Sequence, residues 1–388
     1  MRIVYFCRPE SSGVDKKIAS QIVNLKQMGV QVSIVNITQD EHVQAEDRDI
    51  RYITLPGFSK SRFRLIAILT REYFINRSLW HVTGELDSDD ILYVRFEYPF
   101  FSLLYYLRKK RKCKIVFEHE SLEPQEKLIN GNYLFPVFDF IFGGSIRWYC
   151  DGIVGVTDEI TTYEVKRSGD SKKPHLTLGN GISVESVPIK TSFSFIDSEL
   201  HLLCVANVMK WHGLDRLIQG MIEYKGTTKI NLHIVGGGSE IPAIQQMVKK
   251  LSATNQVFFY GPLYGKDLDE MFNRCDIAIG SLGIHRIGLH EATTLKAREY
   301  CSRGIPFIYG IPDMDFPSDF PYVLQIPADE SSIDMANVIR YAKTVYADLN
   351  FSMKMREYAK QSLDWSVKMV KFKHFLESLV YTIQVKDL

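Results

Sequence analysis

The sequence predicts an α/β fold of two similar halves, each a parallel sheet with helices on both faces. Three observations carry that expectation. Short apolar runs alternate with amphipathic stretches along the chain. The alternation breaks once, around "LTLGNGISVESVPI", and then restarts. And 388 residues is more than twice the ~150 of a usual domain.

In chain order, "RIVYF" leads to a helix in "KKIASQIVNLKQMG" and a strand in "VQVSIVNI". "ILYVRF" leads to a helix through "YPFFSLLYYLRKKRK" and a strand in "CKIVFEH"; "DGIVGV" leads to a helix in "TDEITTYEVKRSG". Asn180-Gly181 and Pro188 mark a hinge. Beyond it come "HLLCVANV", a helix from about Leu214, "INLHIVGGG", a helix from about Ile241, "QVFFYG", a helix in "DLDEMFNRC", "DIAIGS", a helix near residue 295 and "IPFIYG". The expected domains are 1–182 and 183–363. A last helix, about Asp364 to Gln384, crosses back so that 364–388 completes the first domain. Two such sheets facing each other leave a cleft, with ligands at the carboxyl ends of the strands.

The apolar fraction of 45% supports a core in each half. A net charge of +1 argues against a nucleic-acid partner. Six scattered cysteines without a C-x-x-C pair suggest reduced thiols in a cytoplasmic protein and no zinc site. The start, "MRIVYFCRPE", enters a strand at once and does not read as a signal peptide. No apolar run approaches the ~20 residues of a membrane span. The nearest, "YLFPVFDFIFGG", is short and holds Pro136 and Asp139.

The stretch "HEATTLKAREYCSRGIPFIYG" carries the chemistry. Thr293 or Thr294 can cap a helix beginning near Leu295, and Gly304 and Pro306 end it. In one unbroken helix Glu291 and Glu299 would diverge by ~80°. With a break at the threonines, both can approach one ligand. First-turn N–H groups near Leu295, with the Lys296 ammonium, form an anion site. A carboxylate beside it suits sugar hydroxyls, so the pattern describes a nucleotide-sugar site; an ordinary solvated helix with Glu and Lys on its wet face fits the spacing equally.

This stretch resembles the Glu-x7-Glu motif of retaining glycosyltransferases with the GT-B fold, family 4 type. "VANVMKWHGLDRLIQGM", "LHIVGGGSEIPAIQQMV", "QVFFYGPLYGKDLDEMFNRCDIAIGSLG" and "LKAREYCSRGIPF" follow in that family's order. "SSGVDKKIASQIVNLKQMGVQVSIVNI" is similar to its opening loop and helix, and "LGNGI" to its interdomain strand end. The resemblance implies two Rossmann-like domains and glycosyl transfer with retention from a nucleotide-diphosphate sugar to a glycan or lipid-linked glycan, in cell-surface polysaccharide or glycoconjugate synthesis. It implies Glu299 on the ribose, Glu291 at the donor sugar and reacting centre, Gly13 near the phosphates, His119 of "FEHES" near sugar and acceptor, and Arg95 of "YVRFEYP" at an acceptor phosphate or sugar. Thr294, Leu295 and Lys296 belong to the donor site, with Lys296 stabilising the leaving phosphate. Leu263 lies in "GPLYG", a loop bearing on the choice of base.

One departure stands out. Where many members carry an arginine and a lysine after the second domain's first strand, "ANVMKWHG" has Asn207 and His212. Lys210, Lys296 and Arg286 of "GIHRIG" are the cations left to meet the diphosphate. The chemistry implied is same-face attack, the leaving phosphate taking the acceptor's proton, with no metal and no cofactor. "DSDD" at Asp87 to Asp90 precedes a strand and reads as a turn, and "IVGGGSE" reads as a strand-to-helix turn. "SKSRFRLIAILTREYFINRSLW" and "RKKRKCK" place cations among apolar residues, which suits a peripheral position on an anionic membrane at its cytoplasmic face. An epimerase acting on nucleotide sugars, or a degenerate partner subunit, remains an alternative on the same architecture.

Overall fold

The structure is a computed structural model that describes residues 1–7, 12–38, 49–54, 64–95, 101–109, 112–129, 131–193 and 195–381. The chain divides into two compact units, 1–179 with 365–388, and 180–364. Each is built on one all-parallel sheet, so the two doubly wound sheets expected from the strand–helix rhythm are both present.

In the first unit the chain runs β1 (Arg2–Cys7), α1 (Ser12–Gln27), β2 (Gln31–Thr38), β3 (Ile50–Thr54), α2 (Arg64–Gly84), β4 (Ile91–Arg95), α3 (Phe101–Leu107) and β5 (Lys114–His119). It continues through α4 (Glu123–Ile129), α5 (Leu134–Phe138), a π turn over 139–143, α6 (Gly144–Tyr149), β6 (Gly152–Gly155), α7 (Asp158–Ser168) and β7 (His175–Thr177). The sheet order is β3-β2-β1-β4-β5-β6-β7. Side chains of α2, α3 and α6 fill one face of it. Those of α1 and of the final helix, α14 (Trp365–Tyr381), fill the other. Covered on both sides, β1, β4 and β5 are near-continuous apolar runs rather than alternating ones.

α14 earns its place by spacing: Trp365, Met369, Phe372, Leu376 and Leu379 recur at three and four residues and form one buried stripe. Phe372 meets Tyr93 edge-on at 5.0 Å, and Tyr93 meets Tyr5 at 5.0 Å. α3 is shorter than the sequence suggested, ending at Leu107 before the cationic run. Successive like charges within one turn destabilise a helix. The "DSDD" stretch is a turn: the Asp87 N–H donates to the Asp90 carboxylate at 3.1 Å, and Arg2 pairs with Asp90 at 2.8 Å.

The second unit runs β8 (Glu199–Val205), α8 (Leu214–Glu223), β9 (Lys229–Val235), α9 (Ile241–Lys250), β10 (Val257–Gly261), α10 (Gly265–Arg274), β11 (Ile277–Ile279), α11 (Leu295–Arg303), β12 (Phe307–Tyr309), β13 (Val323–Gln325), α12 (Met335–Tyr346) and α13 (Phe351–Tyr358). The order β10-β9-β8-β11-β12-β13 reverses direction between β8 and β11. α8, α9 and α12 cover one face, and α10, α11 and α13 the other. The loops leaving β8 and β11 therefore flank the switch point where such sheets bind ligands.

Phe372→Ala should destabilise the first unit by about 3–5 kcal/mol, since Phe372 is 1% exposed in a ring cluster. Urea unfolding followed by tyrosine environment in that unit should show the loss.

Candidate functional site

The loop after β8 is held by backbone contacts to its neighbours. The Val208 N–H donates to Gly237 O at 2.6 Å, and the Glu240 N–H to Val208 O at 3.2 Å. Gly236 and Gly238 have φ of 124° and 128°, and a β-carbon at either would overlap the carbonyl oxygen of Ala206 or Val208. These glycines let two loops pass closely, as the strand-to-helix reading of "IVGGGSE" supposed. The loop then closes a short turn over 210–212. Leu282 N–H donates to His212 O at 3.2 Å and Gly283 N–H to Trp211 O at 3.0 Å, joining it to the loop after β11. Arg216, buried on α8, donates to Leu282 O, Ser331 O and Pro327 O at 2.7, 2.8 and 2.9 Å. Both sides of the switch point are thus anchored.

α11 begins at Leu295 and ends where Gly304 adopts a left-handed conformation. Thr294 occupies the N-cap in an extended conformation, but its hydroxyl makes no capping bond, so first-turn N–H groups stay available. The head of the helix is tethered from behind. Arg298, fully buried, pairs with Asp313 and Asp315 and donates Nε–H to Asn180 O at 2.8 Å. Asn180 in turn donates to Thr293 O at 2.7 Å.

Lys296 lies in the first turn. Its Nζ is enclosed and makes no hydrogen bond among the described residues. Burial lowers its pKa to about 8. Its ammonium acts on buried His212, whose pKa falls to about 2 through burial first and Lys296 second. His212 is therefore neutral. The Met209 N–H donates to its Nδ1 at 2.9 Å, which places the ring proton on Nε2. His212 thus offers a hydrogen bond, not charge. Asn207 and Lys210 are exposed on the same loop.

Arg286 already has two carboxylate partners. It forks onto Asp215 at 2.9 and 2.7 Å, reaches Glu330 at 2.9 and 2.6 Å, and donates to Lys210 O at 2.9 Å. Two carboxylates neutralise it and pin the β11 loop to α8. Glu299, one turn beyond Lys296, is partly exposed, and Arg303 donates Nε–H to it at 2.9 Å. Arg303 lies 4.1 Å over the Phe272 ring and pairs with Asp269 at 2.7 Å, which fixes the carboxylate's direction. Glu291 is half-buried in the segment ahead of α11, and Leu263, just past β10, packs on the α10–α11 core.

In the first unit, Gly13 is the second residue of α1, and Arg95 is the last of β4, half-buried. His119, expected near sugar and acceptor, ends β5 and is fully buried. Its Nδ1 is 3.2 Å from Glu123 and its Nε2 3.5 Å from Glu164. Glu164 pairs with Arg147, which bonds Asp139 at 2.7 Å, and Asp139 also takes Arg167 at 2.7 Å. Burial opposes charge on His119, yet Glu164 and Glu123 outweigh it and raise its pKa. Three cations then face three carboxylates. The ligand-type atoms of His119, Glu123 and Glu164 lie within 4.8 Å of one another, but the cluster is closed by its own guanidinium and imidazolium groups. A second buried group, Lys17 with Glu118 at 3.1 Å and with Glu120, sits at the same end of the sheet. Neither network was expected, because their members come from separate elements with no local pattern.

Residues 189–310 match the family model described as glycosyl transferases group 1. No curated protein sequence matches the chain. Among solved structures, a sucrose-phosphate synthase from Thermosynechococcus elongatus superposes with a TM-score of 0.71 at 13% identity, covering 97% of this chain and 98% of that one. The lipopolysaccharide outer core galactosyltransferase WaaB gives 0.66 at 14%, covering 97% and 99%. The Anabaena protein HepE, solved with UDP-glucose, gives 0.64 at 12%, covering 97% and 100%. The chain has the GT-B fold.

A histidine whose folded pKa is raised contributes stability that is complete below its unfolded value of ~6.5 and lost as pH rises through the folded value. The urea midpoint of the first unit should therefore exceed that of His119→Gln by most at pH near 6, and the gap should narrow toward alkaline pH.

Proposed function

We propose that this group 1 glycosyltransferase of the GT-B fold transfers a sugar, with retention, from a nucleotide-diphosphate sugar to a glycan or lipid-linked glycan acceptor. The observation that carries the reading is the enclosed, unpartnered Lys296 ammonium at the uncapped head of α11. A buried cation without a counter-ion is costly, and a diphosphate would supply that counter-ion. HepE was solved with UDP and with UDP-glucose, and the pneumococcal O-GlcNAc transferase GtfA with UDP and GlcNAc; both share this fold, which supports a nucleotide sugar as donor.

In this reading the diphosphate lies between the 206–213 loop and α11. The α11 N–H groups, Lys296 and the Nε2–H of neutral His212 meet the phosphate oxygens, with Asn207 and Lys210 at the open rim. Negative charge grows on the leaving phosphate as the sugar departs, so donors fixed in advance lower the barrier. Glu299, aimed by Arg303, takes the ribose hydroxyls, and Glu291 faces the donor sugar. The leaving phosphate accepts the acceptor's proton on the same face. Arg95 binds the acceptor. The cation at the phosphate is Lys296, so the proposal assigns no metal, and chelator should leave the rate unchanged.

A thermal-shift panel of nucleoside diphosphates, UDP first, tests the reading. One of them should stabilise the protein by about 2.7 kcal/mol at a hundredfold excess over Kd, and Glu299→Ala should abolish the shift. A panel with no response would overturn it. Lys296→Met should lower kcat by ~10²–10³ while the fold stays intact.

The pH dependence follows from the depressed Lys296 value. A bound diphosphate raises that pKa. Above the empty-site value of about 8, each binding event should take up a proton, and affinity should fall as pH climbs; below it, no proton is exchanged at this group. Calorimetry in buffers of different ionisation enthalpy reads the uptake directly, and Lys296→Met should remove it.

A further inference from the structure

We propose that an outer face of the first unit, formed by α2, α3 and the helical run of α5 and α6, docks on an anionic lipid surface, with apolar side chains of that run entering the membrane interface. The proposal goes beyond glycosyl transfer and does not depend on the donor site.

Single exposed apolar residues are ordinary, but a stripe of them is not. Between 133 and 148 seven positions are exposed, and six of them are Tyr133, Leu134, Val137, Phe140, Ile141 and Trp148; the seventh is Ser145. Phe140 is 82% exposed and Tyr133 69%. The spacing keeps this stripe on one side, while Phe135 and Ile146 turn inward. The run's two ionisable side chains, Asp139 and Arg147, are buried and paired with each other. An outer face with no charge favours contact with something apolar. The sequence showed this segment only as a hydrophobic run too short to span a membrane, and no helix among the described residues is long and apolar enough to cross one.

The neighbouring surface identifies the partner. α3 packs between α6 and α2. The chain has no acidic residue from 98 to 117, and it carries Arg108, Lys109 and Lys112 there. The acid of α2, Glu72, is buried and paired with Arg71 at 3.0 Å, while Arg77 is exposed. Between α2 and α3 lies an open groove of about 670 Å³, lined by Tyr73, Trp80, Tyr105 and Tyr106 with Arg77 and Lys109. Trp80 stacks on Tyr106 at 5.9 Å, and the Lys109 Nζ lies 4.8 Å over the Tyr105 ring. Aromatic rings and cations, with no carboxylate in the groove lining, suit a phosphate headgroup at the boundary of water and acyl chains. A second copy of the chain would set this basic rim against itself. Part of the cationic stretch expected to face a membrane, residues 59–63 and 110–111, lies outside the described residues.

The full chain should float with phosphatidylcholine vesicles containing phosphatidylglycerol at low salt, and less so as salt rises. Phe140→Ser with Ile141→Ser should lower partitioning at least about tenfold. Arg77→Glu with Lys109→Glu should remove the preference for anionic over neutral vesicles. These positions are exposed, so far-UV dichroism and melting temperature should match the parent. No flotation at low salt, or flotation that neither pair alters, would overturn the proposal. So would self-association in light scattering that the serine pair abolishes, since a second copy would then cover the face. Should a variant misfold, the salt titration of the parent still decides: binding that does not weaken with salt removes the anionic surface.

Discussion

Burying an ammonium group without a counter-ion costs several kcal/mol, and a folded chain normally avoids it by pairing or by exposure. Among the described residues the Lys296 Nζ, enclosed, does neither. It is held at the start of α11 by a helix that cannot shift, because Arg298 ties the other side of that first turn to Asp313, Asp315 and Asn180. Burial first and Lys296 second keep His212 neutral, and the Met209 N–H bonded to Nδ1 fixes its tautomer. Cation, uncapped N–H groups and a hydrogen-bond donor therefore converge at one end of the sheet, and the site's remaining features take their meaning from that convergence.

The ion network around His119 in the first unit is the opposite case. Its cationic and carboxylate groups pair with one another, and all but Arg167 are buried. Removing one member would leave a buried charge uncompensated, which is where such networks become costly. His119, at the end of a strand, is one member of that network.

Much of the fold was legible because its signals are local. Gly213 ahead of Leu214, Pro242 after Ile241 and Gly304 after Arg303 punctuate the chain, and α8, α9 and α11 begin or end at those marks. Glu299 and Lys296 were legible because a one-turn spacing puts them on one helix face. The partners of Arg286, Arg298 and His119 were not, since they arrive from elements distant in sequence: Asp215 and Glu330, Asp313 and Asn180, Glu164 and Arg147. The outward stripe on α5 and α6 was hidden for a different reason. An apolar run looks the same whether it meets a core or an interface, and only the packing of Phe135 and Ile146 shows which side turned in.

Arg286 and Lys296 show what separates a structural cation from a functional one. Arg286 follows β11 and Lys296 lies in the first turn of α11, and the chain treats the two charges differently. Arg286 has a planar fork matched to carboxylates, and the chain supplies two of them, so its charge is neutralised before any ligand arrives. Lys296 is a point charge whose enclosed Nζ has no partner among the described residues. A ligand phosphate gains little from the first and much from the second, because electrostatic attraction strengthens where water is excluded and no competing anion must be displaced. In the proposed reaction the counter-charges, more than the distances, would therefore decide which cation drives the departure of a leaving phosphate.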